Sequence, residues 1–226
     1  MPGHGLDEIN CMLSHEALGP NTPPYEALSY TWGSGYSLQC ITLNGTPFHV
    51  TKNLEAALRH LRKPYETRLV WMDAISINQD DDIERGQQVQ LMRRIYTLAK
   101  QVIVWLGEES SRSKLAMEFF ESANDNHDMR EWFRDTIVKT TQGLYKEEWK
   151  AVFNLFERGY WERIWIVQEL ACAAKIDVLC GSHSARWGVL ITCQSAWYGM
   201  EQSSISDVVR SSMHSIKLGR KKIKGR

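Results

Sequence analysis

The sequence predicts an α/β protein: a parallel-sheet core with an N-terminal β-hairpin and a helical insertion. Three observations carry this. First, Leu69–Met72 is apolar and strand-like, Ile83–Ala99 places Val89, Met92, Ile95, Tyr96 and Ala99 at helical spacing, and Val102–Leu106 is an apolar run closed by Gly107. Strand, amphipathic helix and strand in that order make a βαβ unit, whose parallel strands are usually covered on both faces. Second, Asn44-Gly45 lies between Gln39–Leu43 and Pro47–Val50, a strong hairpin signal. Third, residues 108–160 are polar and helical in pattern, with Phe119, Phe120, Trp132, Phe133, Trp149, Phe153 and Phe156 as aromatic anchors.

Taken in order, Ile9–Leu13 reads as a short first strand, and His15–Pro24 as a Pro- and Gly-rich loop. Tyr25–Gly33 reads as an aromatic strand with a glycine stop. After the hairpin, Thr51 or Asn53 can cap a helix running to about Arg62, with Leu54, Ala57, Leu58 and Leu61 on one face. The Leu69–Asp73 strand ends on a carboxylate. Ser76, Asn78 and Gln79 follow on a short connection, and Asp81 with Glu84 reads as a capping box for the next helix. A polar group between a buried strand and a helix start is where open α/β sheets hold ligands, and it is equally the make-up of a well-capped structural loop. Breaks near Asn124–Asp128 and Gln142–Gly143 divide the insertion. Helices over Trp161–Ala174 and Trp187–Tyr198 flank an Ile176–Cys180 strand. The expectation is one domain over residues 9–200, followed by a flexible tail over 201–226.

Composition is that of an ordinary globular chain: 226 residues, 43% hydrophobic and 24% charged. Lys+Arg and Asp+Glu balance at 27 each, so there is no strong nucleic-acid signal. Lys217, Arg220, Lys221, Lys222, Lys224 and Arg226 crowd the end of the chain. Such a run reads as a solvated tail, with nuclear targeting or an anionic-lipid patch as alternatives. The five cysteines are unevenly spaced and form no C-x-x-C pair, which fits free thiols in a reducing compartment. With Asp7 and Glu8 where a signal peptide would be basic and apolar, and no run of membrane-spanning length, a cytoplasmic protein is expected, nuclear if the tail directs it there.

Several catalytic signatures are missing. There is no Walker loop, no H-E-x-x-H and no G-x-S-x-G, and no metal or cofactor is called for. Gly33-Ser34-Gly35 lacks the third glycine of a dinucleotide fingerprint. Cys180 and His183 could pair as nucleophile and base, although a strand-end cysteine is more often plain core. The second informative stretch is Arg158–Ala171. On one helix, Trp161, Trp165 and Glu169 would share a face with Gln168 beside them. Two aromatics and a carboxylate can hold a planar ring and steady a ribosyl cation. The same stripe is also what core tryptophans and an ion-paired glutamate would give.

Together these blocks resemble the fungal heterokaryon-incompatibility (HET) domain. The resemblance is carried by Tyr25-Glu26-Ala27-Leu28-Ser29-Tyr30-Thr31-Trp32-Gly33, the Asn44-Gly45 hairpin, and Val50-Thr51-Lys52-Asn53-Leu54. It continues through Trp71-Met72-Asp73-Ala74-Ile75-Ser76-Ile77-Asn78-Gln79, Glu84-Arg85, Gln88-Val89, Met92, Ile95-Tyr96 and Val104-Trp105-Leu106-Gly107. Arg163-Ile164-Trp165-Ile166-Val167-Gln168-Glu169-Leu170 closes it. Ser76 stands where the family usually has cysteine, and the opening strand is short.

The resemblance implies a role in fungal non-self recognition and programmed cell death. It also implies a distant likeness to the TIR domain, a flavodoxin-like parallel sheet, some members of which cleave NAD⁺ with a glutamate in a W-x-x-x-E-L motif. Trp165, Glu169 and Leu170 match that motif. On this expectation Glu169 is the catalytic residue of a candidate NAD⁺ glycohydrolase. Tyr30, Trp32, Gly33, Asp73, Asn78, Gln79 and Trp165 bind substrate, NAD⁺ or a related nucleotide. The rival expectation is a non-catalytic module that self-associates or docks an upstream receptor.

Overall fold

The structure is a computed structural model that describes residues 1–5, 7–33 and 37–199. Ser34, Gly35 and the basic tail fall outside the described residues. The chain divides into two units, one of Met1–Glu108 with Gln168–Ile176 and the other of Glu109–Val167 with the residues from Asp177 on.

The first unit begins with β1 (Asn10–Cys11) and β2 (Glu26–Tyr30). β3 (Leu38–Leu43) and β4 (Thr46–Thr51) pair antiparallel, with Leu43 opposite Thr46. Between them Asn44 (φ 52°) and Gly45 (φ 79°) both adopt left-handed backbone, the conformation a two-residue hairpin turn demands and Asn-Gly tolerates. β1 adds parallel to β3. Thr51 ends β4 and caps α1 (Lys52–Leu61), its hydroxyl accepting the Leu54 N–H at 3.3 Å. The predicted face of α1, Leu54, Ala57, Leu58 and Leu61, is buried.

β5 (Val70–Trp71), α2 (Asp73–Ser76), α3 (Asp82–Leu98) and β6 (Gln101–Trp105) follow. The strand–helix–strand unit is present, yet its strands are not neighbours. β2 lies between them, pairing in parallel with β5 through Ala27 and Trp71 and with β6 through Tyr30 and Trp105. Burial explains the order: Ala27, Leu28, Ser29 and Tyr30 are each at most 1% exposed, as a strand covered on both faces must be.

Three local expectations are corrected here. β5 stops at Trp71, and Asp73 opens the one-turn helix α2, in which the Ser76 hydroxyl accepts the Met72 N–H at 3.2 Å. The box at the start of α3 is half made. Asp81 accepts from Ile83 and Glu84 at 2.9 and 3.0 Å, whereas the Glu84 carboxylate takes the Asn78 N–H. The apolar stripe of α3 starts late: Met92, Ile95, Tyr96 and the following Ala99 are buried while Val89 is exposed.

In the second unit, α4 (Ser111–Asn124), α5 (Met129–Thr140) and α6 (Lys146–Phe156) fall between the predicted breaks. Ser110 and Asp128 cap the first two. Phe119 contacts the Trp132 and Trp149 rings at centroid distances of 4.8 and 5.5 Å, and Trp149 lies 5.2 Å from Trp197. The predicted helix over Trp161–Ala174 is broken. A 3₁₀ turn spans Gly159–Glu162, Arg163 is extended, and only then does α7 (Ile166–Cys172) begin. The Trp161 indole N–H donates to the Leu155 carbonyl at 2.9 Å and its ring packs on Phe156 and Tyr160, which anchors the turn to the end of α6.

β7 (Ile176–Cys180) forms a hairpin with β8 (His183–Arg186), and α8 (Trp187–Gly199) follows. The sequence around His183 reads as a turn alone; Gly181 at φ 54° supplies that turn, and a strand follows it. No helix among the described residues is long and apolar enough to cross a membrane.

Phe133 is fully buried, with Trp132 at 5.2 Å and Trp149 at 6.1 Å. Phe133→Ala is expected to cost about 3–5 kcal/mol, measured as a lowered guanidinium midpoint. A loss below about 1 kcal/mol would show that these rings are not closely packed.

Candidate functional site

The carboxyl ends of three parallel strands lie side by side in the first unit, since β2 ends at Tyr30, β5 at Trp71 and β6 at Trp105. In open α/β sheets this edge is where ligands bind. Just past β2, the Trp32 indole N–H donates to the Asp73 carboxylate at 2.9 Å. Asp73 also accepts the Ala74 N–H at 2.8 Å, and its backbone carbonyl accepts the Gln79 side-chain amide at 2.9 Å. Trp32, Asp73 and Gln79 therefore form one hydrogen-bonded group, with Trp32 40% exposed.

Asn78 does not join it. Asn78 is exposed, and its side-chain oxygen accepts the Asp80 N–H at 3.2 Å, so it shapes the turn that leads into α3. Gly33 has φ 79°, a left-handed backbone that an L side chain would strain.

Glu169 lies on α7 and is fully buried. The Ser29 hydroxyl donates to its carboxylate. Ser29 is the penultimate residue of β2 and has no exposed surface. A carboxyl group in such a place is costly without hydrogen-bond donors. Side chains alternate along a strand, so Tyr30 points to the face opposite Ser29; at 1% exposure its ring has no surface to offer a ligand. The expected stripe of Trp161, Trp165 and Glu169 does not form. Trp161 is buried in the 3₁₀ turn, Trp165 precedes α7 and is 51% exposed, and Glu169 is fully covered.

Two residues outside the predicted set belong to this edge. The Asn53 side-chain amide donates to the Thr31 carbonyl at 2.6 Å and accepts the Trp105 indole N–H at 2.9 Å. Ser29 is the other. Ser29 is a lone polar residue in the apolar block Ala27-Leu28-Ser29-Tyr30, and that contrast was the available signal; Asn53, among Thr51, Lys52 and Glu55, carried none beyond that of a helix cap.

The thiol alternatives have little geometry behind them. Ser76, standing where the family usually has cysteine, accepts the N–H of Met72, the residue before its helix. Cys180 is buried opposite His183 in the hairpin, and the two ring nitrogens of His183 face Glu109 at 3.5 Å and Glu121 at 3.8 Å. Among the described residues no group of three or more His, Cys, Asp or Glu is placed to hold a metal ion.

An α/β protein with a polar carboxyl edge and a buried glutamate against β2, the strand between β5 and β6, is the class these observations define. The chain belongs to the heterokaryon incompatibility protein (HET) family, which matches residues 25–169. It is similar to heterokaryon incompatibility protein 6, OR allele, of Neurospora crassa, with 30% identity over an alignment of 212 residues covering 77% of this chain and 31% of that protein. The chain thus spans about a third of the length of that curated relative. No solved structure matches.

Burial pushes the Cys193 thiol far above its usual range, and only the thiolate reacts with alkylating agents. Native protein treated with iodoacetamide at pH 8 is expected to be modified at exposed Cys40 and spared at Cys180 and Cys193, as read by peptide mass spectrometry. Rapid native modification of Cys180 would reinstate it as a nucleophile.

Proposed function

We propose that this chain is an effector module of fungal non-self recognition whose engagement triggers programmed cell death, with residues 9–200 acting as one domain and 108–160 as its insertion. Family membership and the name of the Neurospora relative support this reading. The proposed setting is the cytoplasm, in keeping with five cysteines of which none is joined in a disulfide.

For the chemical output we propose a TIR-like cleavage of the nicotinamide–ribose bond of NAD⁺ or a related nucleotide. The observation that carries it is the Glu169 carboxyl group hydrogen-bonded to Ser29 near the end of β2. In this scheme the C1′–N bond breaks and its electron pair leaves with nicotinamide. Water adds to C1′ and releases its proton to solvent. Glu169 holds the ribose hydroxyls and offsets the positive charge that develops on the ribosyl carbon. A ribose hydroxyl takes the place of the Ser29 hydroxyl, so binding must first uncover the carboxylate. Asp73 and Gln79 fix Trp32 beside the ring.

Purified protein mixed with NAD⁺ is expected to release nicotinamide, and Glu169→Gln to slow release at least about a hundredfold while remaining folded by circular dichroism. No release by the wild type, or equal release by Glu169→Gln, would refute the enzymatic reading.

The complete burial of Glu169 favours one rival, a non-catalytic module that works by self-association or by docking an upstream receptor. Ile164 and Trp165, 86% and 51% exposed, are the apolar pair it would use. Cell killing that survives Glu169→Gln and is lost with Trp165→Ala would select this rival.

A further inference from the structure

We propose that Asn53 is the positioning residue of the carboxyl-edge site, setting the Thr31–Gly33 loop so that Trp32 presents its ring to a planar heteroaromatic base. The choice of ligand rests on the nucleotide reading above; the positioning does not. Asn53 is the second residue of α1, and its side-chain amide uses both functions at once. Its N–H donates to the Thr31 carbonyl at 2.6 Å and its oxygen accepts from Trp105 at 2.9 Å.

The loop is tied at one further point and passes close to Asn53. A β-carbon added at Gly33 would lie 3.8 Å from that of Asn53. The Trp32 indole edge is tied to Asp73. With its edge held and 40% of its surface exposed, Trp32 has ring surface left for stacking, an interaction every base can make.

The amide is specific to the task. Aspartate keeps the acceptor for Trp105 but has no donor, and sets an oxygen against the Thr31 carbonyl. Alanine removes both bonds and leaves the indole N–H of Trp105, itself 1% exposed, without this acceptor. Both changes leave Trp32, Asp73 and Glu169 in the sequence, so their effects report on placement.

The test uses protein labelled with 5-fluorotryptophan, with the Trp32 ¹⁹F resonance assigned from Trp32→Phe. In Asn53→Asp the Trp32 resonance is expected to shift or broaden, while those of Trp149, Trp161 and Trp187 in the second unit keep their wild-type positions. AMP is the binding probe. It should shift the Trp32 resonance of the wild type, with Kd raised about tenfold in Asn53→Asp and Asn53→Ala. A Trp32 resonance unchanged in both variants would overturn the positioning role. A wild-type Trp32 resonance indifferent to AMP, or equal Kd in all three proteins, would overturn the ring platform. Neither outcome depends on nicotinamide release, so failure of the Glu169 chemistry is seen separately.

Discussion

A carboxyl group without exposed surface cannot exchange its hydrogen bonds with water, so the protein around it must supply the donors. Glu169 is such a group, and the donor that reaches it from β2 is the Ser29 hydroxyl. The position of Ser29 is fixed in turn by the sheet. β2 is flanked in parallel by β5 and β6, and Ser29 stands opposite Val104 in the register with β6. A slip of one residue would put Tyr30 where the hydroxyl is and would turn Ser29 to the other face. Sheet register and the setting of the carboxylate are one constraint.

The same edge shows how short elements can be held in place. β5 has two residues and α2 four, too little for either to hold itself by backbone bonds alone. Side chains complete the work. Arg68 pairs with Glu26 at 2.6 Å beside the start of β5, Trp32 closes onto Asp73, and Gln79 reaches back to the Asp73 carbonyl. Asn53 adds the link from α1 to Thr31, just past β2, and to Trp105 at the end of β6. Each strand end is thus tied to the next by a bond that a single substitution removes.

Much of the α/β architecture was legible because periodicity and turn chemistry act locally. The Asn44-Gly45 turn, the Thr51 cap and the buried face of α1 follow from neighbours in sequence. Strand order did not, since nothing in Leu69–Leu106 says that an earlier strand inserts between β5 and β6. The candidate site was legible in part. The Asp73 and Gln79 block was visible as a polar cluster, and Trp32 joins it across a long sequence gap. The Trp161–Trp165–Glu169 stripe misled because helical spacing has meaning only on a continuous helix. The extended backbone at Arg163, between the 3₁₀ turn and α7, interrupts that continuity. Asn53 was hidden by its place at the start of a helix, where a polar residue ordinarily reads as a cap.

The link between Ser29 and Glu169 is measured most directly by a double-mutant cycle of Ser29→Ala and Glu169→Ala, followed by chemical denaturation. A coupling free energy of about 1 kcal/mol or more is expected for a buried hydrogen bond to a carboxyl group. Additivity to within about 0.3–0.5 kcal/mol would contradict it, and would mean that β2 does not set the carboxylate on which the proposed chemistry depends.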